Sequence, residues 1–180
     1  MSRNKNVKDI MVDVFDFPHI PYWFSIRQAV ELLTRVKAGK EKAVVADVLL
    51  VFDEKYSYMG MVRNREIVIG LEPSMLKKFE WSGAGIEITR ESTLVSEADF
   101  ANLASSLFNG ESKKEAEKQV HDIMFITHAH VAPEDSPAKA AYLMSHHNLT
   151  YLPVLENGKK LVGMVSMTTV FDWVCGVILS

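Results

Sequence analysis

The chain carries one short pattern twice, and an internal repeat constrains the fold more than any other feature of a sequence. Val7-Lys8-Asp9-Ile10-Met11 returns as Val120-His121-Asp122-Ile123-Met124, and Tyr58-Met59-Gly60-Met61-Val62 returns as Leu161-Val162-Gly163-Met164-Val165. Two matches in the same order identify two related units.

The intervening segments also correspond. Residues 25–33 parallel residues 136–144, and each predicts a helix. Ser136 supplies a side-chain cap, and Pro137 stands in the first turn, where its missing N–H costs nothing. Ala140, Leu143 and Met144 then recur at helical spacing. Apolar runs at 46–52 and 149–155 predict strands. Between the second strand and its successor, Glu156-Asn157-Gly158-Lys159 predicts a tight hairpin, because Asn-Gly readily accepts positive φ. Asp53-Glu54-Lys55 is its counterpart. A strand through each glycine and a final helix, at 64–70 and 168–179, complete the units. Each reads strand, helix, strand, strand, helix, an α/β (α+β) arrangement with repeats over 1–70 and 120–180.

Residues 71–119 match neither repeat and read as an inserted, partly helical connector. Ser96-Glu97-Ala98-Asp99 resembles a capping box, Phe100, Leu103, Ala104, Leu107 and Phe108 form an apolar face, and Asn109-Gly110 is a stop signal. The charged run 111–118 predicts a solvated helix leading into the second repeat. Ser82-Gly83-Ala84-Gly85 lacks a following Lys-Ser or Lys-Thr and reads as a plain loop rather than a phosphate cradle.

Whole-chain properties narrow the partners. Twenty basic and 23 acidic residues give a net charge of −3, with no basic stripe to track a nucleic-acid backbone. Cys175 is the single cysteine, so no internal disulfide forms, and no apolar signal core follows the N-terminal charges. The longest apolar stretch, 174–179, is far short of the roughly 20 residues of a membrane-spanning helix. The expected location is cytoplasmic, away from membranes and nucleic acid.

With the Val-x-Asp-Ile-Met openings and the run Tyr151-Leu152-Pro153-Val154-Leu155-Glu156-Asn157-Gly158-Lys159-Lys160-Leu161-Val162-Gly163-Met164-Val165-Ser166, the chain resembles tandem CBS repeats, a family named after a regulatory region of cystathionine β-synthase. The resemblance covers about residues 5–70 and 118–180. It implies two repeats packed through their sheets about a pseudo-twofold axis, two clefts, and pairing of two chains into a disc. It also implies binding of AMP, ADP, ATP or S-adenosylmethionine.

In that family the last strand carries a glycine, a Ser or Thr three residues on, and an Asp three residues beyond. The Asp accepts from the ribose and the hydroxyl faces phosphate or ribose. Here Gly163 is followed by Ser166 and Thr169, whereas Gly60 is followed by Arg63 and Glu66, so neither repeat holds the complete pair. A bond to a charged acceptor is worth about 1.5–3 kcal/mol, so the missing Asp predicts ribose binding weaker by roughly tenfold to a hundredfold in the Thr169 cleft. Arg63 is a candidate phosphate contact. Further contacts implied by the family map onto His19, Ile20, Asp47 and Val48 in the first repeat. In the second they map onto Thr127, His128, His130, Val131, Thr150, Tyr151, Leu152 and Pro153, with His19 and His130 equivalent and Tyr151 a candidate cover for adenine.

Other chemistry is less well served. His128-Ala129-His130 and His146-His147 lack zinc-ligand spacing, and the one thiol is remote, so no metal site is expected. His146 and His147 suit a helix end. No nucleophile elbow or carboxylate pair appears, so no catalysis is expected. The reading is a non-catalytic regulatory module, a homodimer, that binds an adenosine-containing ligand and signals to a separate protein in trans. Its alternative is a dimeric interaction module with degenerate, ligand-free clefts.

Overall fold

The computed structural model describes residues 5–39, 45, 47–73, 108 and 110–179. The first repeat contributes β1 (Val12–Asp13), β2 (His19–Pro21), α1 (Ile26–Lys37), β3 (Val48–Phe52), β4 (Tyr58–Arg63) and α2 (Asn64–Leu71). After α3 (Gly110–Glu115), the second contributes α4 (Pro137–His146), β5 (Tyr151–Glu156), β6 (Lys160–Ser166) and α5 (Met167–Ile178). Single 3-10 turns at Val7–Asp9 and Val120–Asp122 open the repeats.

Local chemistry sets the boundaries. Ser25 Oγ accepts from Gln28 N at 3.3 Å while Gln28 Oε1 accepts from Ser25 N at 2.9 Å, a reciprocal cap that starts α1. Ser136 Oγ accepts from Lys139 N at 3.3 Å ahead of Pro137 at the start of α4. Asn157 (φ 53°) and Gly158 (φ 67°) turn the second hairpin, as their sequence implies. In the first, the Asp53 carboxylate folds the turn by accepting from Lys55 N at 2.9 Å and Ser57 N at 2.7 Å.

The strands form two three-stranded sheets, ordered β2-β3-β4 and β1-β6-β5, in which only β2 and β3 run parallel. Strand β3 is apolar at every position because both its faces are covered. Leu49 and Val51 pack on Ile26, Ala29 and Leu33 of α1, whereas Val48, Leu50 and Phe52 turn to a central core shared with Met61, Leu161 and Met164. In the second repeat Leu152 and Val154 pack on Ala140 and Met144 of α4. The molecule is therefore a layered α/β pair, helices outside and two sheets face to face within.

The openings are exchanged between the repeats. Val7 N donates to Asp135 O at 2.8 Å and Lys8 N to Pro133 O at 3.0 Å, just ahead of α4. In the mirrored contact Val120 N donates to Phe24 O at 2.7 Å and His121 N to Tyr22 O at 3.0 Å, just ahead of α1. Val7 is consequently buried with the second repeat's core, and Val120 with the first's. Past each opening the chain pairs with the other repeat's last strand: Asp13 lies opposite Gly163, and Met61 exchanges backbone bonds with Phe125 at 3.0 and 2.7 Å. These reciprocal bonds express the pseudo-twofold relation.

The strand expected ahead of α4 is largely absent among the described residues. Only Val131 of 127–131 pairs in the second repeat, opposite Val154, because Thr127 Oγ1 and His130 Nδ1 bond to backbone within the segment and hold it irregular. Gly110 opens α3. The carbonyls that follow, of Ala116 and Lys118, accept from Arg27 N and Ile26 N at 2.9 Å and so satisfy the first turn of α1. The expected helix ending near Phe108 and the glycine-rich loop lie outside the described residues, apart from Phe108 itself. Among the described residues no helix is long and apolar enough to cross a membrane.

At Gly60 an added Cβ would lie 2.7 Å from Phe125 O, and at Gly163 2.5 Å from Val12 O. Both neighbours are backbone, so neither yields without breaking the inter-repeat pairing. Gly60→Ala and Gly163→Ala are each expected to lower unfolding free energy by about 2–3 kcal/mol in urea titration. Unchanged midpoints in both would show that the crossing is not tight.

Candidate functional site

The candidate cleft residues converge where β3 and β4 of one repeat meet β5 and β6 of the other. Val48 pairs with Arg63 and Tyr151 with Ser166, so these two positions are equivalent, each beside the start of the last helix of its repeat. Polar side chains cross the axis here. Arg63 Nη1 donates to Thr150 Oγ1 at 3.2 Å, and Tyr151 OH donates to Asp47 Oδ1 at 2.8 Å and Oδ2 at 3.0 Å.

Arg63 and Glu66 form a bidentate pair: Nε to Oε2 at 2.8 Å and Nη2 to Oε1 at 2.6 Å. The spacing of a residue before the helix and its third helical residue explains the match, since Glu66 Oε2 also accepts from Arg63 N at 3.0 Å. The side chains are only 13% and 10% exposed, which makes the pair less screened than a surface ion pair. The guanidinium also lies 4.4 Å from the Phe125 ring centroid. Three donors thus occupy the Glu66 carboxylate, leaving about one of its four lone-pair directions free. Arg63 retains two N–H donors of its five.

In the second repeat, Ser166 Oγ accepts from Thr169 N at 3.1 Å, and Thr169 Oγ1 donates to Ser166 O at 2.9 Å. These hydroxyls start α5 and satisfy each other. Burial, then the hydrogen bond to Asp47 and its charge, push the Tyr151 hydroxyl up. It stays protonated and acts as a donor across the axis.

The remaining predicted residues divide by position. Ile20, Val48, Val131, Leu152 and Pro153 are buried, so an adjacent ligand meets their backbone or edges. His128 and His130 are exposed, and His130 Nδ1 is bonded to His128 O at 3.0 Å. Thr127 is half-buried and turned to Ala129 N at 3.1 Å. His19 pairs in register with Leu50 as Ile20 does with Val51 and Val131 with Val154, making His19 and His130 equivalent. Its ring points to the hairpin end, bonding Tyr56 OH at 2.5 Å and Val14 O at 2.9 Å, away from the Arg63–Glu66 pair. Phe125, under the Arg63 guanidinium, is a candidate site residue that sequence reasoning missed. Its signal is its place one residue past the Ile-Met of the second opening. Among the described residues no three His, Cys, Asp or Glu gather as metal ligands do.

A family model for the CBS domain matches residues 120–176. Among curated proteins the sequence finds no match. Among solved structures the chain is similar to CBSX2 in complex with AMP, at 20% identity and a TM-score of 0.60, covering 97% of this chain and 98% of that one. It is similar to the CBS-pair protein CBSX2 from Arabidopsis thaliana, at 18% identity and a TM-score of 0.57, covering 98% and 99%. The cytosolic domain of the Mg2+ channel MgtE in complex with ATP gives 16% identity and a TM-score of 0.59, covering 94% of this chain and 49% of that one. Residues 120–176 thus match the CBS-domain model, and the chain as a whole has the fold seen in solved CBS-pair structures.

Proposed function

We propose that this chain is a non-catalytic regulatory module that binds an adenosine-containing ligand, AMP, ADP, ATP or S-adenosylmethionine, between its repeats and signals to a partner protein in trans. The observation that carries the reading is the meeting of Arg63, Glu66 and Asp47 of one repeat with Thr150 and Tyr151 of the other. A ligand seated there touches both repeats. It favours one packing of the pair by its differential affinity, and the changed surface is what a partner reads. The two free Arg63 donors suit a phosphate, and the start of α5 beside Ser166 and Thr169 supplies further positive potential. The similarity to AMP-bound CBSX2 and ATP-bound MgtE supports the same ligand class.

A second reading, a ligand-free interaction module, draws on one specific observation. Arg63 with Glu66, Ser166 with Thr169 and Tyr151 with Asp47 already satisfy one another. Calorimetric titration with the four compounds separates the readings: saturable binding of at least one supports the ligand sensor, and its absence from all leaves the interaction module. Thr169→Asp sharpens the test. Asp at that third helical position still accepts from Ser166 N, and it adds a ribose acceptor worth about tenfold to a hundredfold in affinity. Unchanged affinity in this variant would mean that the second cleft is closed for another reason, such as the Tyr151–Asp47 contact.

The dimer reading rests on α5. Within it only Val170 is fully buried, while Phe171 is exposed and Ile178 and the following Leu179 are 76% and 85% exposed. Tyr142 of the adjoining α4 is also exposed. Apolar exposure concentrated on neighbouring helices marks an interaction surface, and a twofold contact between copies covers it. Sedimentation at about 20 micromolar is expected to give a dimer for the unaltered chain and a monomer for Phe171→Glu/Ile178→Glu, since interfaces of ordinary size hold at that concentration. A monomeric unaltered chain contradicts the dimer.

A further inference from the structure

At the hairpin ends, away from Arg63 and Glu66, a cavity of about 540 Å3 opens between the two hairpins. Phe15, Phe52, Tyr56 and Tyr58 line it together with Lys159 and Lys160 of the second hairpin. The fold itself does not call for these rings. Phe52 faces Tyr58 across the first hairpin just where Leu155 faces Leu161 across the second, with the same register shift beside each. The second repeat closes the equivalent position with aliphatic side chains alone.

Two of the rings gain little from folding. Phe15 is 78% exposed and Tyr56 62% exposed, and Tyr56 sits at φ 60°, in the left-handed region that bulky side chains avoid. Yet Tyr56 is held rigidly. Its ring stacks on Phe52 at 4.6 Å between centroids and 16° between planes, and its hydroxyl bonds His19 Nδ1, whose Nε2 in turn bonds Val14 O. The ring nevertheless keeps most of its surface exposed. Deeper in the wall, the Tyr58 hydroxyl is buried with no hydrogen-bond partner among the described residues, and burial pushes its titration upward so that it remains neutral. Lys159 and Lys160 are exposed and make no ion pair among the described residues, whereas the nearby Asp13 carboxylate is engaged with Phe15 N at 2.9 Å.

We propose that this cavity is a binding site for a small planar aromatic anion, its ring lying against Tyr56 and Phe15 and its carboxylate or phosphate met by Lys159 and Lys160. The volume is within the roughly 300–1,000 Å3 of small-molecule pockets. Rigid stacked rings provide a platform that costs little to order. The site is separate from the cleft between the repeats, and its test does not depend on nucleotide binding there.

The full-length chain would be titrated with 2-naphthoate, with cyclohexanecarboxylate as the non-aromatic control and 2-naphthalenemethanol as the uncharged one. Saturable 2-naphthoate binding is expected, weakened about fivefold to tenfold in Phe15→Ser and roughly threefold in Lys159→Gln/Lys160→Gln. Both controls are expected to bind more weakly than 2-naphthoate. Phe15 and the lysines are exposed, so the variants keep the fold, which their melting curves verify. A second readout is the Tyr58 ring resonance, expected to shift on binding. No saturation by about 10 mM, or equal affinity in Phe15→Ser, overturns the proposal.

Discussion

The backbone crossing at Gly60 and Gly163 governs the rest of the architecture. At each glycine the opening of one repeat lies against the last strand of the other, with carbonyl oxygens 2.5–2.7 Å from where a Cβ would stand. Because the openings are exchanged, neither repeat completes its own core: Val7 fills the second and Val120 the first. Folding of one repeat is therefore coupled to the other, and the packing angle between them becomes a property of the whole chain. The central core of Met61, Met164, Leu50 and Leu161 sits beside that crossing and fixes the sheets face to face.

The same axis brings the polar ends of the sheets together, and there the two repeats have diverged. Their equivalent positions hold Arg63 and Glu66 in one and Ser166 and Thr169 in the other. Arg63 reaches Thr150, and Tyr151 reaches Asp47, so two unlike bonds replace what perfect symmetry would make a matched pair. On the proposed function, a ligand entering between them would exchange one or both bonds, each worth about 1.5–3 kcal/mol net because a charged group takes part. Affinity is thus set by how well a ligand replaces these contacts rather than by cavity size alone.

Much of this was legible in the sequence. The repeat predicted two equivalent units, Asn157-Gly158 predicted the second hairpin, and Ser136-Pro137 predicted the start of α4. The exchange of the openings was not legible, because a repeat in sequence does not say which copy a segment packs on. Nor was the Arg63–Glu66 pair, although the cap spacing that creates it was present. His19 was grouped with the cleft from its place in the repeat, but its ring rotates to the hairpin end, where Tyr56 and Phe52 hold it. Position within a strand is readable from pattern; side-chain direction depends on neighbours that only the fold supplies.

Whether an adenosine-containing ligand occupies the junction of the two repeats is read by amide hydrogen exchange with and without AMP, ADP, ATP or S-adenosylmethionine. Slower exchange is expected in both repeats together, at residues 47–48 and 63–66 and at 150–151 and 166–169, because a bridging ligand suppresses opening of both strand ends. Protection confined to the hairpin ends around Tyr56 and Lys160, or exchange unchanged throughout with AMP, ADP, ATP and S-adenosylmethionine each at millimolar concentration, would overturn it.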